Sequence, residues 1–400
     1  MNKLIQSFCA MAAFAAVIAG CSSDVSMPVD TASGKQDGKI LAAPSGFKKV
    51  PDQYVIVFKA NEVGDNEVQG EVRRLQKAHG LTIGHIYETA IVGFSATVPP
   101  GVLKKLAADD KIQRIEEDYE ITVAPVEEFA KPGGGGTVAR TQPQQTPWGV
   151  SATGWRDGTG KRAWIIDSGI DPNHPDLNVS TTLSKNFVTG SRQSSLTWQD
   201  KNGHGTHVAG TIAAKNDGYD VIGVAPGATV IAVRCLDSRG SGQYSWIIAG
   251  VNYVAASGTA GDVCNMSLGG PAYNALDDAI RAAANDFGIK FAIAAGNEYV
   301  DCTATSPARA GEGQPDIWTV SAHNDQSVFA YFSNYGAPVD ICAPGVSVTS
   351  TKMGGGLTTM SGTSMAAPHV AGILLVGTVG SRGAVTGDPD AKKDNMAVIQ

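Results

Sequence analysis

Three short segments of the 400-residue chain hold side chains that could do chemistry together: IIDSGIDPNHPDL with Asp167, NGHGTHVAGTIAA with His204, and SGTSMAAPHVAG with Ser364. A serine hydroxyl is a weak nucleophile until an imidazole takes its proton, and that imidazole needs a buried carboxylate to orient it. Glycines beside each of the three residues let a substrate backbone come close. Taken singly, the segments have plainer readings. An Asp at a strand end can simply close a loop, a Ser at a helix start can simply cap it, and HGTH could offer two histidines to a metal from one helical face. No third histidine or carboxylate follows HGTH at ligand spacing, so His207 and His369 read as packing residues within their helices.

These residues need elements to bring them together. From Trp148 onward the strand-like runs RAWIID, ATVIAVRC, DVCNMSL and KFAIAAG alternate with the helical patterns HVAGTIAAK, YSWIIAGVNYVAAS and ALDDAIRAAANDF. Such alternation predicts an α/β fold, a parallel sheet with helices on both faces. Sites in these sheets lie at the carboxyl ends of the strands. The loops after Ile166, Cys235, Ser267 and Ala295 should therefore surround one cleft. Upstream, YVIVF, the amphipathic EVQGEVRRLQKAHG, AIVGFSATV, PGVLKKLAADD and IQRIEEDYEITV predict a small α+β domain of the split βαβ, ferredoxin-like kind over residues 47–124. Residues 125–145 contain four consecutive glycines and several prolines, a linker that cannot bury a core and is open to proteolysis. The second domain is expected over 146–400, with GSRGAVTGDPDAKKDNMAVIQ reading as a polar tail after the serine helix.

The order Asp, His, Ser, with the surrounding words intact, resembles the subtilisin-like serine proteases from about Gln144 to about Val379. The resemblance implies that Asp167, His204 and Ser364 are orienter, general base and nucleophile. Asn297 in AIAAGNE matches the family's oxyanion residue, with the Ser364 amide as its partner donor. Ser241, Gly242 and Tyr244 on one side and Ser267, Leu268 and Gly269 on the other resemble the groove walls that receive a peptide as an added strand. Ala294, Ala295, Gly296 and nearby Glu298 would complete the pocket for the side chain before the scissile bond, implying a broad preference for apolar or aromatic residues with some tolerance of basic ones near Glu298. YVIVFK, GFSATVP and IEEDYEITV resemble the family's inhibitory propeptide, which assists folding and then fills the groove with its last strand; maturation cleavage should fall in the linker. Ca2+ is implied as a structural ion, with no cofactor for catalysis. Asp340 with the carbonyls of Pro315 and Ile317 resembles one family site, and Gln144, Asp176 and Asp217 resemble another, although SPARAGEGQ and KNDGYD depart from the usual loops.

The remaining features concern destination. A net charge of -7 argues against a nucleic-acid partner. Residues 1–20 have a basic start at Lys3 and an apolar run from Phe8 to Ala19, an export signal. VIAGC resembles the lipobox of bacterial lipoproteins, which would acylate Cys21 and anchor the precursor to a membrane through a polar tether, 21–46. The mature, monomeric protease would then be periplasmic or extracellular. Cys235, Cys264, Cys302 and Cys342 allow three full pairings, and buried free thiols are the alternative. Three other functions compete with an exported zymogen endopeptidase: an inactive relative that only binds peptides, a protease of itself or one partner, and an acyl transferase.

Overall fold

The computed structural model describes residues 39–42, 47–123, 127–129, 142–189 and 197–400. The expected signal, Cys21, most of the tether and most of the linker with its cleavage site lie outside the described residues. Among the described residues, no helix is long and apolar enough to cross a membrane.

The first domain has the order strand Lys49–Phe58, helix Val68–His79, strands Thr82–Glu88 and Val92–Thr97, helix Leu103–Ala107, strand Ile112–Thr122. The long helix buries Val68, Val72 and Leu75, one face at helical spacing, and stops at Gly80, whose φ of 68° is left-handed. Those side chains pack with Ile56, Phe58, Phe94, Leu106 and Ile115. The strand Thr82–Glu88 is missing from the sequence reading. TIGHIYE alternates poorly, and its pairing with Val92–Thr97 shifts register between Ile83 and Ile86.

The second domain is built on a sheet that, among the described residues, has ten strands. Its centre runs Ile341–Pro344, Ile317–His323, Lys290–Ala294, Val263–Met266, Arg162–Asp167, Thr229–Arg234, all parallel. Side chains alternate across a strand, and the two faces bury different helices. Trp164 and Ile166 pack with the helices Tyr244–Ser257 and Asn274–Phe287. Ala163 and Ile165 pack with the helices His204–Ala213 and Thr363–Val376. The small residues on this second face let the two helices that start with His204 and Thr363 lie close to the sheet.

The tail departs from expectation. Val379–Ala384 and Asn395–Ile399 form an antiparallel hairpin whose second strand extends the sheet beside Ile341–Pro344. Its apolar content is sparse, but Met396, Ala397 and Val385 are buried, which a polar reading of the segment overlooks. All four cysteines of the domain are buried and free. Burial pushes the Cys264 and Cys302 thiols up, so they stay protonated and inert.

Candidate active site

Asp167 ends the strand Arg162–Asp167, fully buried, at the carboxyl edge of the sheet. Its two carboxylate oxygens lie 2.9 Å from His204 Nδ1, and its Oδ1 also accepts the Ser168 amide at 2.6 Å. The histidine can come this near because Gly205 has no side chain: a Cβ there would stand 2.1 Å from the Gly169 carbonyl. Burial works against a proton on His204, but the Asp167 charge and hydrogen bond, with Asp200 behind them, hold its pKa above 6.5. His207 and His369 sit one turn or more inside their helices. Burial drives them down to about 3 and about 4, and each bonds a backbone carbonyl, Val348 and Met365 respectively. Among the described residues no group of three His, Cys, Asp or Glu is arranged for a metal.

Ser364 lies in the first turn of the helix Thr363–Val376, entered through Gly362 at φ 154°. Its hydroxyl donates to the Ser267 carbonyl at 3.2 Å, while the buried His204 Nε2 has no hydrogen-bond partner. In this state the serine hydroxyl is therefore bonded to Ser267 and not to the imidazole. Asn297 follows the strand Lys290–Ala294, and its Oδ1 accepts both the amide and the hydroxyl of Thr363 at 2.9 Å. Pinning the oxygen leaves the Asn297 side-chain N–H groups as the donors available beside the serine, next to the positive end of its helix.

The groove is filled from within the chain. Ile112–Thr122 pairs antiparallel with Ser241–Gln243, matching Thr122 with Ser241 and Ile121 with Gly242, and the Val123 amide donates to the Gly240 carbonyl at 2.9 Å. On the other side, Glu127–Phe129 pairs with Leu357–Ser361, the strand that leads into Ser364. Tyr244 stacks on Tyr273 and meets Tyr119 of the first domain edge-on. Leu268, Ala294 and Ala295 are buried, and Gly269 faces the Ser306 carbonyl. Glu298 folds back over Gly296, where its carboxylate accepts from the Asn297 amide and from Asn334 Nδ2, both at 2.9 Å. It is a brace as much as a pocket charge.

Two positioning residues escaped the sequence reading. Thr363 accepts the Gly296 amide at 3.0 Å while donating to Asn297. Asn334, fully buried, binds the Ala295 carbonyl and the amides of Glu298 and Val300, each at 3.0 Å. Thr363 was available as the neighbour of the nucleophile. Asn334 stands alone in YFSNYG and gives no signal.

Of the residues expected to hold calcium, Asp340 Oδ2 accepts the Thr319 amide at 2.8 Å, and it and the Ile317 carbonyl both lie beside Gly311. Burial pushes the Asp340 carboxyl up to about 6. A carboxylate and a backbone carbonyl are the donor chemistry a hard cation takes. In the other set, too, side-chain oxygens already have partners. Gln144 Oε1 already accepts the amides of Asp217 and Gly218 at 3.0 and 2.8 Å, and Asp176 accepts the Val221 amide at 3.4 Å.

Comparison with known proteins agrees with this geometry. Residues 163–377 match the subtilase family and residues 53–124 the peptidase inhibitor I9 family. The chain is 34% identical over 356 residues to an alkaline serine exoprotease A from Vibrio alginolyticus, covering 84% of this chain and 62% of that protein. It is 40% identical over 286 residues to subtilisin NAT from Bacillus subtilis subsp. natto, 70% of this chain and 68% of the relative. A crystal structure of a cold adapted subtilisin-like serine proteinase superposes with a TM-score of 0.54 at 33% identity, covering 63% of this chain and 98% of the other. A match over more than half the residues, on the sheet whose edge gathers Asp167, His204 and Ser364, makes this chain a member of the subtilase family, a serine endopeptidase that carries its own I9 inhibitor domain.

Proposed function

We propose that the protein is an exported endopeptidase made as an inactive precursor, which cuts its own linker and then hydrolyses proteins through an acyl-enzyme at Ser364. The observation that carries this reading is the first domain's last strand lying antiparallel on Ser241–Gln243, as an extended substrate would. Ser364 Oγ attacks the scissile carbonyl and passes its proton to His204 Nε2, while Asp167 holds the Nδ1 proton. The oxyanion takes hydrogen bonds from Asn297 Nδ2 and the Ser364 amide. Collapse breaks the C–N bond, with His204 returning the proton to the leaving amine. Water, deprotonated by the same imidazole, then attacks the ester and frees the acid. Because only neutral His204 can act as base, activity should fall on the acid side of a midpoint above 6.5. Apolar walls, Leu268, Ala294 and Ala295, support a preference for apolar side chains before the cut.

Asp340 with the carbonyls of Pro315 and Ile317 would hold a calcium ion, which supplies structural cross-bracing and no chemistry. Export follows from residues 1–20, and acylation of Cys21 would anchor the precursor in a bacterial membrane, so that cleavage in the linker would both activate and release the protease. The test is intact mass and N-terminal sequencing of wild type and Ser364→Ala, with membrane fractionation of both. The wild type should split within the linker and release its catalytic domain, and the variant should stay whole and membrane-bound. Two intact chains would favour a groove that binds without cutting.

A further inference from the structure

The helix that begins with His204 has no cap of its own, because its N-cap is Gly203, at φ 109°. One side chain outside the three-residue machinery supplies what is missing. Asp200 is 4% exposed. Its Oδ1 accepts from Ser168 Oγ, the Asn202 amide and the Gly203 amide, each at 2.9 Å, and its Oδ2 accepts from the amide and hydroxyl of Thr206 at 3.0 and 2.6 Å. The Ser168 hydroxyl, donating to Asp200, in turn accepts the Gly205 amide at 3.0 Å, and the Ser168 amide donates to Asp167. One carboxylate therefore joins the end of the Asp167 strand to the turn and the first coil of the His204 helix.

We propose that Asp200 is a positioning residue for catalysis: it fixes the His204 ring against Asp167 and places a second negative charge behind the imidazole. The titratable and charged groups around the ring come from several elements. Asp167 lies on its strand, Asp200 in the preceding loop and His207 one turn along the same helix, while Arg234 at the end of Thr229–Arg234 faces both Asp200 and Asp237. Asp200 favours the imidazolium that forms when Ser364 attacks, adding to what Asp167 provides. A group that only filled space would leave the titration of His204 where it is.

The proposal rests on His204 being the base, so His204→Ala is run beside the test variants; full activity in His204→Ala would sink the base assignment and not merely this inference. Asp200→Asn keeps the shape and removes the charge. Its kcat should fall about tenfold with KM nearly unchanged, and the acid limb of kcat/KM should move toward lower pH. An acid limb coincident with that of the wild type would overturn the proposal, whatever happens to kcat. If Asp200→Asn does not mature, the same comparison is made on the whole precursor in a Ser364→Ala background, reading the downfield proton of the His204 ring by NMR against pH. A lower midpoint supports the proposal, and an unchanged one overturns it. If Asp200→Asn does not fold, Ser168→Ala breaks the link while keeping the charge. A kcat several-fold lower with an unmoved acid limb then supports positioning, and wild-type kcat overturns it.

Discussion

Two pairs of helices start at the groove, and they are finished in different ways. The helices from His204 and Thr363 on one face of the sheet and from Tyr244 and Asn274 on the other all begin after a residue whose side chain makes no cap. The first pair is completed by its own domain. Asp200 and Ser168 accept the amides of Thr206 and Gly205, and Asn297 accepts the amide of Thr363. The second pair is completed by the inhibitor domain. Asp118 accepts the Ser245 amide at 3.2 Å, and Glu116 accepts the amides of Asn274 and Ala275 at 3.2 and 3.0 Å. Unsatisfied first-turn amides attract carboxylates. The catalytic helices keep theirs through the reaction, whereas the outer helices hold theirs only while the first domain is docked. The same device serves preorganisation in one place and reversible inhibition in the other.

The largest expected effect breaks the permanent half of that comparison. Asn297→Leu removes the oxyanion donor and also the acceptor for Thr363. It should lower kcat by about 10²–10³-fold, a magnitude carried over from the equivalent donor in subtilisin itself, with little change in KM. Thr363→Val, which keeps the donor and loosens its brace, should cost less. Steady-state kinetics on a short peptide substrate distinguishes them, and equal losses would mean that Asn297 acts mainly by holding the helix start.

The permanent half was also the legible half. Asp167, His204 and Ser364 each stand inside a short word whose glycines and small residues announce a tight approach, so their types and order point to one chemistry. The alternation of RAWIID-like runs with apolar helices gave the sheet as well. What could not be read was whatever depends on distant pairing. Glu116 and Ala275 are 159 residues apart, Asp118 and Ser245 are 127 apart, and their carboxylates look like ordinary solvated charges in IEEDYEITV. The closing hairpin was hidden for a similar reason. Four residues of Val379–Ala384 are exposed, and the strand exists only because Asn395–Ile399 lies beside it.

The reversible half makes a pH prediction. Burial raises the Asp118 carboxyl to about 6 in the docked state, against hydrogen bonds from Ser245 and Gln53 that pull it down; its ordinary value is 3.8. A carboxyl raised on docking favours the protonated form. Docking should be tightest below 3.8, weaken as pH rises, and level off above about 6. The inhibition constant of the separated first domain, added back to mature enzyme, should therefore rise by about tenfold to a hundredfold over that window. Asp118→Asn should flatten the slope. Glu116, also raised by burial with Arg114 opposing, leaves a smaller residual slope. An inhibition constant that falls with rising pH would reverse the assignment.

The smallest effect tests whether capping runs both ways. Asn252, on the helix Tyr244–Ser257, sends its Oδ1 outward to accept the amides of Thr89 and Ala90 at 3.1 Å each, and its Nδ2 donates to the Ile248 carbonyl of its own helix. Here the enzyme satisfies the inhibitor's turn. Two neutral hydrogen bonds whose donors can return to water on release contribute about 1 kcal/mol net, a factor of about five in affinity. Asn252→Ala should thus raise the inhibition constant about fivefold at every pH, without touching kcat. It should add to Asp118→Asn, because the two contacts share no partner. A double variant much weaker than the product of the singles would mean that the turn and the strand dock as one unit. A pH-dependent loss in Asn252→Ala alone would tie this neutral contact to the buried carboxylates and remove the distinction between the two kinds of cap.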